Sequence, residues 1–141
     1  MKKIIAAVLC IIMVFAFAAC GDKPEQGGNT NVSYEGTFVE SVAHRGVMTI
    51  EKYEGTYDVV VEWPGSASET AYWNFSGDFD ENGVLEYSDC QKLITTYHED
   101  GSNDSISEYA DGTGRIKMTE EGIVWEDDQE DIAAEAIFVA E

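Results

Sequence analysis

The sequence predicts an all-β domain, a single antiparallel up-and-down barrel of about 8–10 short strands with at most short helical turns. Three observations carry this prediction. Apolar and polar residues alternate with period two in YDVVVEW (Tyr57–Trp63) and YWNFSGDF (Tyr72–Phe79), the mark of half-buried strands. Turn signals recur at short intervals: HRG, YEG, DENG, EDGSND, ADGTG and EEG. The part expected to fold retains one cysteine, Cys90, so no disulfide within it is possible and closure of the sheet has to protect its edges.

Taken in order, the chain opens on a basic Met1-Lys2-Lys3, an apolar run (IIAAVLCIIMVFAFAA) and then Cys20. The run is short for a membrane span and has the shape of a secretory signal. FAAC at its end resembles a bacterial lipobox, departing from the usual pattern at Phe17; in such proteins the cysteine is lipidated and becomes the first mature residue. The expected division is a signal segment over 1–19, a lipidated Cys20 with a flexible Gly-, Asn- and Pro-containing tether over 20–33, and the domain over 34–141. Acyl chains on Cys20 would anchor the domain to the extracytoplasmic face of the cell membrane.

Within the domain, strands are expected at Thr37–Ala43, Val47–Lys52, Tyr57–Trp63, Tyr72–Phe79, Val84–Tyr87, Lys92–His98, Ser105–Tyr109, Arg115–Met118, Ile123–Trp125 and Ala136–Ala140. SASE at Ser66–Glu69 has capping-box spacing and predicts a short helical turn. DDQEDIAAEA (Asp127–Ala136) predicts a turn or two of helix before the last strand. A helix-rich α+β arrangement is the competing fold.

Acidic residues number 28 against 8 basic, a net charge of −20; loss of Lys2 and Lys3 with the signal leaves 6 basic residues and −22. This excludes nucleic acid, whose phosphates need clustered Lys and Arg. It favours solubility and attraction of cationic partners, whether basic proteins, peptides or divalent ions.

DFDENGVLEYSD (Asp78–Asp89) has the spacing of a calcium loop, with Asp78, Asp80, Asn82, Gly83, Leu85 and Asp89 at the ligand and hinge positions. Its flanks alternate as strands, however, so Asp80–Gly83 reads as a hairpin tip, Phe79 and Leu85 as its buried side, and Asp89 as part of the next turn. A weak metal site on Asp78, Asp80 and Asn82 is the surviving alternative. WEDDQED (Trp125–Asp131) reads as a solvated loop, or else as an acidic docking patch or a divalent-ion site. His44 and His98 lack metal-ligand spacing, and there is no nucleophile elbow or phosphate loop; the expectation is a protein without cofactor that is not an enzyme. Trp63, Trp73 and Trp125 fall on core-facing positions. They either pack the interior or line a ligand-holding mouth. Tyr72 and Tyr97 are expected on the outer face, available to a partner.

The chain after the tether resembles small lipoproteins of Gram-positive, Clostridia-like bacteria that carry an uncharacterised domain. The resemblance rests on Trp73-Asn74-Phe75-Ser76-Gly77, Gly83-Val84-Leu85-Glu86-Tyr87 and Gly122-Ile123-Val124-Trp125. It implies a lipocalin-like barrel more than an activity. The architecture is also similar to periplasmic inhibitor barrels, although the N-terminal Gly-x-Trp of lipocalins and the cysteine pair of lysozyme-inhibitor lipoproteins are missing. The expected function is a non-enzymatic, membrane-anchored binding module for a small ligand or an extracellular partner. The alternative is an acidic inhibitor or docking protein for a cationic protein such as a lysozyme or protease. The first requires a hollow barrel and the second salt-dependent binding.

Overall fold

A computed structural model describes residues Ser33–Glu141; the segments expected as signal and tether, with Cys20 between them, lie outside the described residues up to residue 32. Eight strands follow one another: β1 (Gly36–Glu40), β2 (Val47–Tyr53), β3 (Thr56–Pro64), β4 (Glu69–Gly77), β5 (Val84–Tyr97), β6 (Asn103–Thr119), β7 (Gly122–Asp127) and β8 (Ile137–Ala140). Each pairs antiparallel with its sequence neighbours, and β1 pairs with β8, which closes an up-and-down barrel. The alternation that predicted the strands also places their side chains. Val59 and Val61 of β3, and Trp73 and Phe75 of β4, point inward, while Asp58 and Asn74 do not.

The interior is solid. Trp125 is fully buried, with Trp73 edge-on at 5.3 Å between ring centroids and Phe138 at 6.4 Å. Phe75 stacks on Tyr87 at 3.9 Å. The end carrying the β2–β3, β4–β5 and β6–β7 turns is plugged by aromatics: Tyr34 stacks on Phe79 at 4.0 Å and Tyr57 packs edge-on against both. A short 3-10 helix, Asp131–Glu135, lies between β7 and β8 at the opposite end, as the helix formers there predict. The YEG signal closes β2 on β3 with Glu54 and Gly55 both at positive φ (51° and 101°), the pairing that a two-residue hairpin of right-handed twist requires.

Three expectations are corrected. SASE forms no helical turn: Gly65 and Ser66 N–H both donate to the Glu69 carbonyl (2.9 and 3.1 Å), closing β3 on β4, since the linker is too short to complete a helical turn between paired strands. Val84–Tyr87 and Lys92–His98 are one strand, β5, so Asp89 sits within a strand and not in a turn. Ser105–Tyr109 and Arg115–Met118 are likewise one strand, β6, and ADGTG is strand interior. The β5–β6 ladder absorbs the irregularity through register shifts between Tyr87 and Leu93. Gly112 and Gly114 are there for space. A Cβ on Gly112 would meet Tyr109, and one on Gly114 would meet Tyr87 and the Glu126 carbonyl, all under 3.0 Å.

Candidate functional site

The two buried indoles each need an acceptor for an N–H removed from water. Trp125 Nε1 donates to the Tyr87 hydroxyl (2.9 Å), which donates to Asp127 Oδ2 (2.6 Å). Trp73 Nε1 donates to the Tyr109 hydroxyl (3.0 Å), which donates to Glu130 Oε1 (3.0 Å). Two parallel relays therefore run from tryptophan through tyrosine to carboxylate, and both carboxylates come from the acidic cluster read as a solvated loop. Burial, then the hydrogen bond to Asp127, holds the Tyr87 hydroxyl far above its usual pKa; Tyr109 is raised by burial, then by the charge of Asp127 and the bond to Glu130. Both phenols stay protonated as donors.

Lys92 completes the second relay. Its ammonium lies 2.6 Å from Glu130 Oε1, 2.9 Å from Glu108 Oε2 and 5.0 Å from the centre of the Trp73 ring. Burial pulls its pKa down, but the hydrogen bonds to Glu130 and Glu108 outweigh that and the net shift is upward. Cys90 is fully buried; burial first, then the charges of Asp127, Asp89 and Glu130, pushes its thiol up to about 12. It is a packed thiol and not a ready nucleophile.

The sequence-predicted ligand residues meet in pairs, Trp73 with Trp125 and Tyr72 with Tyr97, but do not line one common cavity with Trp63. Trp73 and Trp125 are interior packing with their N–H groups engaged. Trp63, half-buried, packs edge-on against the buried Phe138 at 6.5 Å and lines, with Val42, Ala43, Asp131 and Ile132, a cleft of about 380 Å³ at the barrel end that carries the 3-10 helix. Tyr72 and Tyr97 lie on the outer face of β4 and β5 with their hydroxyls 2.9 Å apart. The Tyr72 phenol is raised to about 12, first by that hydrogen bond, then by burial and by Glu62. At the former calcium-loop motif, Asp80 Oδ1 accepts from Asn82 N (2.8 Å) and Val84 N (2.9 Å), and Oδ2 from Asn82 Nδ2 (3.4 Å). Asp80 spends its oxygens on holding the hairpin tip, and Phe79 bridges to Leu85 beside it. Asp78 is exposed. Among the described residues, no three His, Cys, Asp or Glu side chains cluster to hold a metal ion.

The feature that sequence reasoning missed lies where β5 and β6 run on beyond the rest of the barrel. β6 pairs with β7 only from Gly114 onward, so among the described residues its first half, from Asn103, has a strand neighbour on the β5 side alone. Cross-strand partners share a face. Trp63 pairs with Ala71, Ala71 with Ile94 and Ile94 with Ile106, so an apolar row crosses β3 to β6 on the interior-facing side and ends on the free edge. Ile106, at that edge, is 70% exposed. Asp104 and Glu108 flank it; Asp104 meets His98 at 2.9 Å. The signal for this edge was present as NDSISE (Asn103–Glu108), a stretch polar on both faces save for one isoleucine, which a strand tolerates only at an edge.

Comparison of the chain with protein-family models, with characterised proteins and with solved structures finds no match.

Proposed function

We propose that the protein is a membrane-anchored, extracytoplasmic, non-enzymatic docking module for a cationic extracellular polypeptide, held at the membrane by lipid on Cys20. The observation that carries this reading is the packed interior: Trp73, Trp125, Phe75 and Tyr87 fill the space that a small ligand inside the barrel would need. Binding capacity then belongs to the surface, where the charge lies. Among the described residues, the carboxylates that pair with a basic side chain or His are Glu108, Glu130, Glu126 and Asp104. The remaining acids of a chain carrying −20 project a largely uncompensated field, which steers and holds cationic partners.

Titration of the purified full-length chain, in neutral detergent, with a basic protein such as a lysozyme tests this. Affinity should fall steeply from low to high salt; affinity independent of salt, or equal binding of an acidic protein, refutes it. Incorporation of labelled palmitate that is lost in Cys20→Ala tests the anchor.

The cleft beside Trp63 favours a second reading, an amphipathic small ligand with an apolar body against Trp63 and Ile132 and a cationic head at Asp131. It predicts quenching of tryptophan fluorescence by such a ligand in the wild type but not in Trp63→Phe, since the other two tryptophans are enclosed.

A further inference from the structure

We propose that the free edge of β6, Asn103–Glu108, takes up its cationic partner as an added antiparallel strand; this rests on the docking reading above and specifies how the partner is held. The backbone direction follows from the hairpin. His98 N–H donates to the Ser102 carbonyl at 2.8 Å, so the ladder alternates from a bonded pair at the hairpin mouth. Thr96–Asp104 and Ile94–Ile106 then exchange bonds within the hairpin, and Asn103, Ser105 and Ser107 turn their N–H and C=O groups away from β5. The Tyr97 N–H agrees with this phase: it points across to β4, onto the Ser68 carbonyl at 2.8 Å. Three residues of an exposed edge thus present main-chain donors and acceptors, which is what strand addition uses for affinity.

The side chains specify the occupant. On the face shared with Lys92, alternation sets Asp104, Ile106 and Glu108 in succession, Asp104 beside His98 and Glu108 beside Lys92, with their side chains still 81% and 48% exposed to a partner; the bulge turns Tyr109 to this face as well. On the other face it offers Asn103, Ser105 and Ser107. An incoming strand matches this when basic, apolar and basic side chains occupy alternate positions with small polar residues between them. A second copy of this chain does not fit: pairing of two β6 edges would set Asp104 and Glu108 against acidic counterparts, between molecules of charge −20.

The test uses the full-length chain in neutral detergent and a capped, fluorescently labelled peptide, Thr-Lys-Thr-Val-Thr-Lys-Thr, followed by anisotropy. Ser105→Pro removes an outward N–H without touching the β5–β6 bonds and leaves the charge unchanged. It should weaken the peptide at least about tenfold, while Ser105→Ala, which loses only the hydroxyl bonded to Thr95 at 2.8 Å, stays near wild type. The same peptide N-methylated at its threonines should fail against the unmodified chain, a result independent of any effect of proline on folding. If Ser105→Pro and the methylated peptide both bind like their parents, strand addition is wrong although docking stands; if the unmodified chain binds neither this peptide nor a basic protein, docking itself fails. A dimer in sedimentation velocity that Ser105→Pro converts to monomer assigns the edge to a second copy and overturns the proposal.

Discussion

Gly114→Ala adds one methyl group at one of the tightest crossings in the barrel. That Cβ would lie under 3.0 Å from the Glu126 carbonyl of β7 and from both Oη and Cζ of Tyr87. Neither neighbour yields cheaply. The carbonyl is backbone within the β6–β7 ladder, and the Tyr87 ring is stacked on Phe75 at 3.9 Å. Overpacking of this kind costs about 1–3 kcal/mol. If Tyr87 gives way, its hydroxyl leaves the fully buried Trp125 N–H without an acceptor, a further loss of about 1–3 kcal/mol. The expected destabilisation is about 3 kcal/mol or more, a fall in Tm of at least about 12 °C for a domain near 100 residues. Thermal unfolding followed by far-UV circular dichroism measures it. A Tm within about 2 °C of wild type would refute the reasoning. Tyr87→Phe sharpens the test, because it removes one of the clashing atoms: in that background Gly114→Ala should cost about 1 kcal/mol less. An unchanged cost would place the conflict on the β7 backbone alone.

Lys92→Met should lower stability by about 3 kcal/mol in urea unfolding, since it strands the mostly buried Glu130 carboxylate without its cation; a loss under about 1 kcal/mol would mean that the ion pairs are solvated like surface pairs. Cys90 should resist a thiol reagent such as Ellman's in the folded protein at pH 8 and react at once in urea, and rapid labelling of the native chain would contradict its burial. Because the folded thiol pKa is raised from 9.0 to about 12, its contribution to stability is complete below pH 9 and is lost as pH rises towards 12, so Cys90→Ala should flatten that alkaline decline. Glu40 has the opposite sign. Its carboxylate accepts the Val42 and Ala43 N–H groups at 2.7 and 2.8 Å, and the Val42 bond first of all, against the opposing effect of burial, holds its pKa below 4.5. Its contribution is present above pH 4.5 and lost as pH falls through the folded value, so Glu40→Gln should be less stable at pH 7 and show a shallower acid limb.

The barrel was legible because alternation is a local property: Tyr57–Trp63 and Tyr72–Phe79 announce their buried face within a few residues. What failed was the reading of glycine. The residue permits positive φ, and it also permits close approach, and a sequence does not distinguish the two uses. Gly55 and Gly83 stand at positive φ in turns that were expected as turns. Gly114 makes room for Tyr87 across the pairing of β5 with β6, and Gly112 for Cys90 across that pairing and for Tyr109 beyond the bend in its own strand. The same gap hid the relays. Trp125 finds Tyr87 across 38 residues, Trp73 finds Tyr109 across 36, and Lys92 finds Glu130 across 38. Alternation told which way the tryptophans point, but not whether the space they enter is filled.

The acidic excess divides along the same line. Asp127 and Glu130 are explained by the interior: they terminate the two tyrosine relays, and without them buried donors would lack acceptors. Asp80 and Glu40 are explained by turns whose N–H groups they accept. Asp104 and Glu108 are explained only in part, by His98 and Lys92, and their side chains stay 81% and 48% exposed. They flank an isoleucine 70% exposed on a strand edge, where a soluble barrel ordinarily places lysine, proline or a covering loop to prevent pairing. Acidic side chains guard such an edge against copies of the same acidic chain while leaving it open to a basic strand. Selectivity of that kind is what the docking role proposed above would require of a chain of charge −20, and it would tie the overall composition to one particular row of backbone groups.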